Sequence, residues 1–180
     1  MPQKNVIKNF KNDSFHHIYN RGVDKREIFY TEQDYEYFIG LIKNLLQKEA
    51  VIKNKDGSIK EVIPNKSYMG DKIELYAFCL MPNHFHLVLK QIKKRAITRF
   101  MRSLSTSYVM HFNKKYKRSG RLFEGTYRAV AIKTQEQFQN VLEYVHDNPK
   151  LLVQDSKNYR WSSKRIHSNK QILEWIKILG

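Results

Sequence analysis

Hydrophobic and polar residues follow one another along the chain in patterns that predict four strands and three helices. Short β-prone runs that end at turn residues predict strands at 14–20, 74–80, 84–90 and 127–133. Apolar residues at helical spacing predict helices that begin after Thr31, span 95–116 and run from Thr134 to Pro149. The order βαββαβ with one further helix favours an α+β, ferredoxin-like (RRM-like) sandwich, with helices on one face of an antiparallel sheet.

Turn and cap residues divide the chain further. Thr31 with Asp34, and Thr134 with Gln137, have the spacing of helix N-terminal caps. The 50–72 segment contains Asp-Gly, proline and glycine but no sustained period, which indicates a loop or a small hairpin inserted between the main elements. We expect a single domain over 1–180, with a core at about 14–163, a polar N-terminal arm and a tail at 164–180 that ends in a short amphipathic stretch.

Composition narrows the classes of function. The 180 residues include 33 Lys and Arg against 17 Asp and Glu, a net charge of +16, which favours a polyanionic partner, most simply a nucleic acid. A single cysteine, Cys79, argues against a disulfide framework and a cysteine-rich zinc module. No apolar run reaches the ~20 residues that span a bilayer, and the first residues lack the apolar core of a secretory signal. We therefore expect a soluble, intracellular protein.

One local motif points to metal chemistry. His84 and His86 lie two residues apart on a predicted strand, so their side chains share a face, while Phe85, Leu87 and Leu89 point toward the core. Two imidazoles at this spacing can bind one ion, each nitrogen ~2 Å from it. The alternative is a pair of unrelated surface histidines. Sequence motifs for nucleotide-binding loops and for a serine nucleophile are absent.

A tyrosine is a candidate nucleophile for phosphodiester chemistry, but the chain has 11 of them. Tyr108 falls within the apolar stripe of its helix, which indicates a core residue. Tyr144 lies about 100° to the side of the last helix's stripe, and Asn148 follows one turn later. Tyr144 is therefore either a functional residue or an aromatic residue that covers the edge of the core.

Basic residues mark a candidate DNA-binding surface. On the 95–116 helix, three arginines fall on the side opposite the apolar stripe, and a basic turn follows the helix. These candidates for phosphate contacts are Arg95, Arg99, Arg102, Lys114, Lys115, Lys117 and Arg118. The alternative is a solvated, charged helix face.

Five segments resemble the single-tyrosine HUH transposases, and most closely the REP-associated tyrosine transposases of bacterial chromosomes. The segments are FHHIYNRGVDKREIF, LMPNHFHLVL, FMRSLSTSYVMHFNKKYKRSGRLFEGTYR, LEYVHDNPK and YRWSS. Together they extend over about 15–163, most of the chain.

The resemblance implies a mechanism and its residues. His84 and His86 would bind a divalent metal, Mg²⁺ or Mn²⁺, and Asn148 would be the third polar ligand, four residues after the tyrosine. Tyr144 would attack single-stranded DNA and form a 5′-phosphotyrosine, so that DNA is cleaved and rejoined at hairpin-flanked sites. Asn148 directly precedes Pro149, where helical geometry is disfavoured. The resemblance gives no role to the 50–72 insertion.

The expected partner is single-stranded DNA with a hairpin, a homodimer is kept as a further candidate, and no membrane is involved. The expected location is the bacterial cytoplasm, in association with the nucleoid. Two other functions fit the same fold. One is a non-catalytic nucleic-acid binder that stacks bases on its sheet. The other is a metal-dependent phosphodiesterase that uses water as its nucleophile.

Overall fold

The computed structural model describes residues 10–168 and 175–177. Its strands and helices are β1 (Ser14–Arg21), α1 (Glu32–Leu46), β2 (Glu49–Lys53), β3 (Ile59–Pro64), β4 (Ile73–Met81), β5 (His84–Gln91), α2 (Ala96–Lys115), β6 (Arg128–Ile132), α3 (Gln135–Asp147) and α4 (Lys164–Ser168). The four strands and three helices predicted from the sequence are all present, with ends close to those expected. Most of the predicted N-terminal arm and of the amphipathic tail lies outside the described residues.

The four predicted strands form one antiparallel sheet. Their order is β4-β5-β1-β6, and each neighbouring pair is antiparallel. This is the strand order of a ferredoxin-like sandwich, so the predicted fold class is confirmed. β2 and β3 pair only with each other, so the inserted segment is a small hairpin rather than a loop.

Helices pack on both faces of the sheet. α1 and α2 cover one face, where a large aromatic and aliphatic core includes Ile18, Phe38, Phe85, Leu87 and Phe100. On the other face, α3 packs its buried residues against β4 and β5 in a second core that includes Ala77, Cys79, Val88, Phe138, Leu142 and Val145. The helices predicted for one face of the sandwich are therefore α1 and α2, and the one further helix is α3, whose apolar stripe is buried against the opposite side of β4 and β5.

The start of α1 is fixed by a buried carboxylate. The Asp34 side chain accepts hydrogen bonds from the backbone N–H groups of Tyr30 (2.8 Å) and Thr31 (3.0 Å), as the capping prediction required. It also accepts from the Tyr116 hydroxyl (2.6 Å) and Lys115 Nζ (2.7 Å) at the end of α2. Burial alone would raise the pKa of Asp34, but these hydrogen bonds outweigh it and hold the pKa below its usual range. The network joins the two helices at this end.

Gly22 makes a tight turn after β1 that holds the β4–β5 turn in place. Its N–H donates to the carbonyl of Asn83 (2.9 Å), and a Cβ at Gly22 would lie 2.1 Å from the backbone oxygen of Arg26. We expect Gly22→Ala to lower the free energy of unfolding by about 1–3 kcal/mol, because the backbone must move to relieve the overlap. Urea unfolding followed by circular dichroism measures this change.

Gly40 gives the matched control for this substitution. It lies exposed in α1, and a Cβ there would have no heavy atom within 4 Å. Gly40→Ala should therefore raise the free energy of unfolding by about 0.5–1 kcal/mol, as expected for alanine in a helix interior. Equal stability of the two variants would contradict the close approach at Gly22.

Candidate active site

A cleft of about 320 Å³ opens on the α3 side of the sheet. Residues from β1, β5, β6, α3 and three connecting segments line it. They are Tyr19, Asn20, Arg21, Lys25, Asn83, His84, His86, Glu124, Arg128 and Tyr144. Two residues singled out from the strand pattern, His84 and His86, and one from the helix pattern, Tyr144, thus meet in one place.

Strand register explains this convergence. In the β1–β5 pair, Tyr19 is opposite His86 and Arg21 is opposite His84, and in the β1–β6 pair Tyr19 is opposite Arg128. Directly paired residues point to the same face of a sheet, so all five side chains share the α3 face. The predicted common face of the two histidines is therefore present. Their position away from Phe85, Leu87 and Leu89 favoured an open face of the sheet for the two histidines. That expectation is wrong, because α3 packs on this face and His86 is only 5% exposed.

His84 is held in one tautomer by the turn before it. Asn83 Nδ2 donates to the carbonyl of Lys25 (3.2 Å), which leaves Asn83 Oδ1 facing His84 Nδ1 at 2.6 Å. Because this oxygen can only accept, the ring proton lies on Nδ1 and a lone pair is left on Nε2. His84 Nε2 in turn lies 3.1 Å from Asn148 Oδ1. With its proton on Nδ1, a neutral His84 directs a lone pair at this amide oxygen, and a cation bound between the two atoms would stabilise that arrangement.

Asn148 reaches this position because it keeps a helical conformation. Its φ of −51° and ψ of −38° extend the α3 geometry, and a short 3-10 helix follows at Asn148–Leu151. The expectation that Pro149 would disfavour helical geometry at Asn148 is therefore wrong. Pro149 lies in the first turn of this 3-10 helix, where its missing N–H breaks no hydrogen bond.

His86 is buried and one of its ring nitrogens, Nε2, is unpaired. Its Nδ1 lies 2.8 Å from His17 Nε2, whereas its Nε2 has no hydrogen-bond partner in the part of the chain that the structure describes. Burial, with smaller effects of His17 and His84, lowers the pKa of His86 to about 2. Burial also lowers the pKa of His17 to about 4. Both imidazoles are therefore neutral at pH 7, as a metal ligand must be.

The donor atoms fit a divalent cation. His84 Nε2, His86 Nε2 and Asn148 Oδ1 form a set of two imidazole nitrogens and one amide oxygen, and the two rings are perpendicular with centroids 5.0 Å apart. Imidazole favours transition metals and an amide oxygen suits Mg²⁺ and Mn²⁺, so this mixed set fits Mn²⁺ better than Mg²⁺. Within 10–168 and 175–177, no cluster of three His, Cys, Asp or Glu offers another metal site.

Tyr144 projects from α3 toward these histidines. Its ring lies edge-on to those of His86 (5.4 Å between centroids) and His17 (5.8 Å), and its side chain is 54% exposed. The phenol is therefore open to a ligand in the cleft. Tyr108, in contrast, is fully buried, and its hydroxyl donates to the carbonyl of Ile28, as expected for a core residue.

The basic residues chosen from the sequence lie elsewhere. Arg99 and Arg102 are exposed on α2, which packs on the other face of the sheet, and Arg95 caps that helix with a φ of 63°. Lys115 is bound to Asp34, and Arg118 donates to Asn113 Oδ1 (3.0 Å). Lys114 and Lys117 are exposed at the end of α2. None of these seven residues lines the cleft.

The cations that do line the cleft were missed by sequence reasoning. They are Arg21, Lys25 and Arg128, and Arg21 also forms a 2.7 Å ion pair with Glu124. Arg21 and Tyr19 are two residues apart on β1, so the same alternation that selected the paired histidines could have placed Arg21 on their face. Nothing local marks Arg128 or Lys25, because their place depends on strand pairing and on the turn at Gly22.

One solved structure with a TM-score above 0.5 agrees with this fold. A REP-associated tyrosine transposase, solved in complex with a REP hairpin, superposes with a TM-score of 0.61 at 12% identity, over 97% of this chain and 91% of that one. A candidate transposase from Deinococcus radiodurans R1 gives a TM-score of 0.41 at 15% identity, over 81% of this chain and 98% of that one. A search of curated protein sequences found no match.

The fold and the cleft define a ferredoxin-like protein with a histidine pair and a tyrosine on one face of its sheet. The profile of the IS200-like transposases matches residues 16–148. The chain belongs to this family of DNA transposases. None of its described helices is long and apolar enough to cross a membrane.

Proposed function

We propose that this protein cleaves and rejoins single-stranded DNA through a covalent intermediate on Tyr144, with a divalent ion, Mn²⁺ or Mg²⁺, bound by His84, His86 and Asn148. The observation that carries the proposal is the meeting in one cleft of an exposed phenol with two histidines: His86 Nε2 has no hydrogen-bond partner among the described residues, and His84 Nε2 lies against Asn148 Oδ1. Membership of a transposase family supports transposition-type chemistry.

The proposed reaction is a pair of transesterifications. The Tyr144 hydroxyl oxygen attacks phosphorus, the bond from phosphorus to the 3′ oxygen breaks, and the phenol proton is released while the leaving oxygen takes up a proton. The products are a 5′-phosphotyrosine and a free 3′-OH. A 3′-OH later attacks the phosphotyrosine and restores Tyr144, so the number of phosphoester bonds is conserved. When bound, the metal would supply Lewis-acid polarisation of the phosphate oxygens.

Three cations lie where the scissile phosphate would bind. Arg21, Lys25 and Arg128 line the cleft together with Tyr144, and only Arg21 has a carboxylate partner there. We assign them to binding and orienting the phosphate, because guanidinium and ammonium groups donate charge-assisted hydrogen bonds to phosphate oxygens.

The proposed substrate is a single strand next to a DNA hairpin, in bacterial chromosomal DNA. A relative of the same fold was solved with a REP hairpin, which supports this choice. Arg99 and Arg102 on the far face are candidates for contacts with DNA outside the cleft. One chain supplies Tyr144 and all three proposed ligands, so the reaction does not require the homodimer that was kept as a candidate partner.

A labelled hairpin oligonucleotide with a single-stranded flank tests the proposal. It is incubated with the protein and Mn²⁺ and analysed on a denaturing gel. A labelled band that migrates with the protein and disappears after proteolysis is the expected result. Free fragments without an adduct would instead identify a phosphodiesterase that uses water. An uncut oligonucleotide would identify a protein that binds DNA without cleaving it.

Salt dependence tests which cations contact DNA. For single strands, log affinity falls with log salt at a slope of about −0.7 per neutralised phosphate. We therefore expect the double variant Arg21→Gln, Arg128→Gln to reduce the slope by about 1.4. Fluorescence anisotropy between about 50 and 200 mM salt measures it.

Two comparisons complete the salt experiment. The double variant Arg99→Gln, Arg102→Gln measures the contribution of α2, on the side of the sheet opposite the cleft. Lys60→Gln in the inserted hairpin is the control, because it also removes one positive charge at an exposed position. An affinity that does not change with salt in the unmodified protein would contradict phosphate-dominated binding.

A further inference from the structure

We propose that His17 is a positioning residue: it accepts a hydrogen bond from His86 Nδ1 and thereby keeps a lone pair on His86 Nε2, the atom proposed to bind the metal. This inference rests on the proposed metal site. His17 would not touch the metal or the DNA, and its effect would be exerted through His86.

The geometry that carries the inference is a contact between neighbouring strands. His17 of β1 and His86 of β5 lie on the same face, with Nε2 of the first 2.8 Å from Nδ1 of the second. Their rings are stacked, with centroids 5.0 Å apart and an interplanar angle of 23°. Both side chains are buried, so water does not compete for this hydrogen bond.

Only one arrangement of the shared proton leaves a metal ligand. If His86 Nδ1–H donates to His17 Nε2, the second ring nitrogen of His86, Nε2, carries a lone pair that can bind a metal ion. If His17 donates instead, a neutral His86 carries its proton on Nε2, and a buried N–H points at no acceptor. The first arrangement is favoured because the orphaned atom then becomes a ligand atom rather than an unsatisfied donor.

The two proposed ligands would thus be oriented by different neighbours. Asn83, held by the carbonyl of Lys25, fixes the tautomer of His84, while His17 fixes that of His86. Loss of a residue that orients a metal ligand typically costs 10–100-fold in metal affinity. The side chain of His17 should therefore matter for metal binding although it is not a ligand.

Mn²⁺ binding to the full chain without DNA gives the first test, with free Mn²⁺ measured by electron paramagnetic resonance. His17→Phe keeps an aromatic ring but no acceptor, and we expect about 10–100-fold weaker binding. His17→Gln places an amide oxygen near the position of Nε2 and should restore most of the affinity. Binding by His17→Phe as tight as that of the unmodified chain would overturn the inference.

His16→Phe is the matched control. His16 is the neighbouring buried histidine of β1, but it points to the opposite face, where it lies 2.8 Å from Ser14 Oγ and packs against Phe10. Its replacement should leave Mn²⁺ affinity unchanged. Thermal unfolding of each variant checks that the fold is retained.

The tautomer itself is the second test, and it needs no metal. Nitrogen-15 NMR of the histidine rings should show the His86 proton on Nδ1 in the unmodified chain and a shift toward Nε2 in His17→Phe. A proton on Nε2 in the unmodified chain would overturn the inference. If the expected tautomer is found but Mn²⁺ does not bind, the hydrogen bond assigned to His17 is supported and the proposed metal site fails.

Discussion

Tyr144→Phe should abolish the covalent protein–DNA adduct while hairpin DNA still binds. The substitution removes one oxygen and keeps the ring, whose contacts with His17 and His86 involve ring edges. The side chain is largely exposed, so the free energy of unfolding should change little. Without the hydroxyl, no phosphotyrosine can form. A denaturing gel for the adduct and anisotropy for binding measure the two properties separately.

Tyr37→Phe is the matched control for this experiment. Tyr37 is also an exposed tyrosine on a helix, but it lies on α1, where its ring stacks on His111. The helix packs on the other face of the sheet, so the adduct should form as in the unmodified protein.

The cleft contains one rival nucleophile that sequence reasoning did not consider. Tyr19 lines the same cavity, and its ring stacks on that of His86 at 5.8 Å between centroids. Mass spectrometry of the proteolysed adduct distinguishes the two residues. A nucleotide on Tyr19 would show that the assignment of Tyr144 is wrong, while the class of reaction would stand.

The spacing of residues along the chain predicted most of the features that depend on the geometry of a single strand or helix. Alternation along β5 placed His84 and His86 on the face away from Phe85, and the helical angle placed Tyr144 beside its stripe. These inferences use only the geometry of a single strand or helix, which follows directly from residue spacing. The order of elements along the chain also predicted the ferredoxin-like fold class, because chain-connection rules leave few topologies for it.

Contacts between distant segments could not be predicted in this way. His17 and His86 are 69 residues apart in the chain, and their contact depends on the register of β1 against β5. The arginines of α2 illustrate the same limit. Their helical angle correctly predicted an exposed face, but only the packing of α2 and α3 on opposite sides of the sheet shows that this face is remote from Tyr144.

Removal of either imidazole should eliminate cleavage and spare DNA binding. His86→Ala deletes Nε2, a buried nitrogen that has no hydrogen-bond partner among the described residues. Its removal therefore breaks no protein contact at this atom, and the expected loss is that of the proposed metal ligand. His84→Ala deletes the second nitrogen and leaves Asn148 Oδ1 without its neighbour. Affinity for DNA should persist, because the proposed phosphate contacts come from charged groups outside the two rings. The adduct assay, anisotropy and Mn²⁺ titration measure these three outcomes.

His111→Ala controls for the loss of any histidine, since its ring packs on Tyr37 on the other side of the molecule. Asn148→Ala should show a milder defect than either histidine variant, because it removes a neutral oxygen donor and a water oxygen, which also suits Mn²⁺, can take its place at the metal. Raising the Mn²⁺ concentration should therefore restore cleavage by Asn148→Ala but not by His86→Ala, whose missing nitrogen leaves a buried space. Full cleavage by the unmodified protein in excess chelator would exclude the metal from the mechanism and leave Tyr144 to act with Arg21, Lys25 and Arg128 alone.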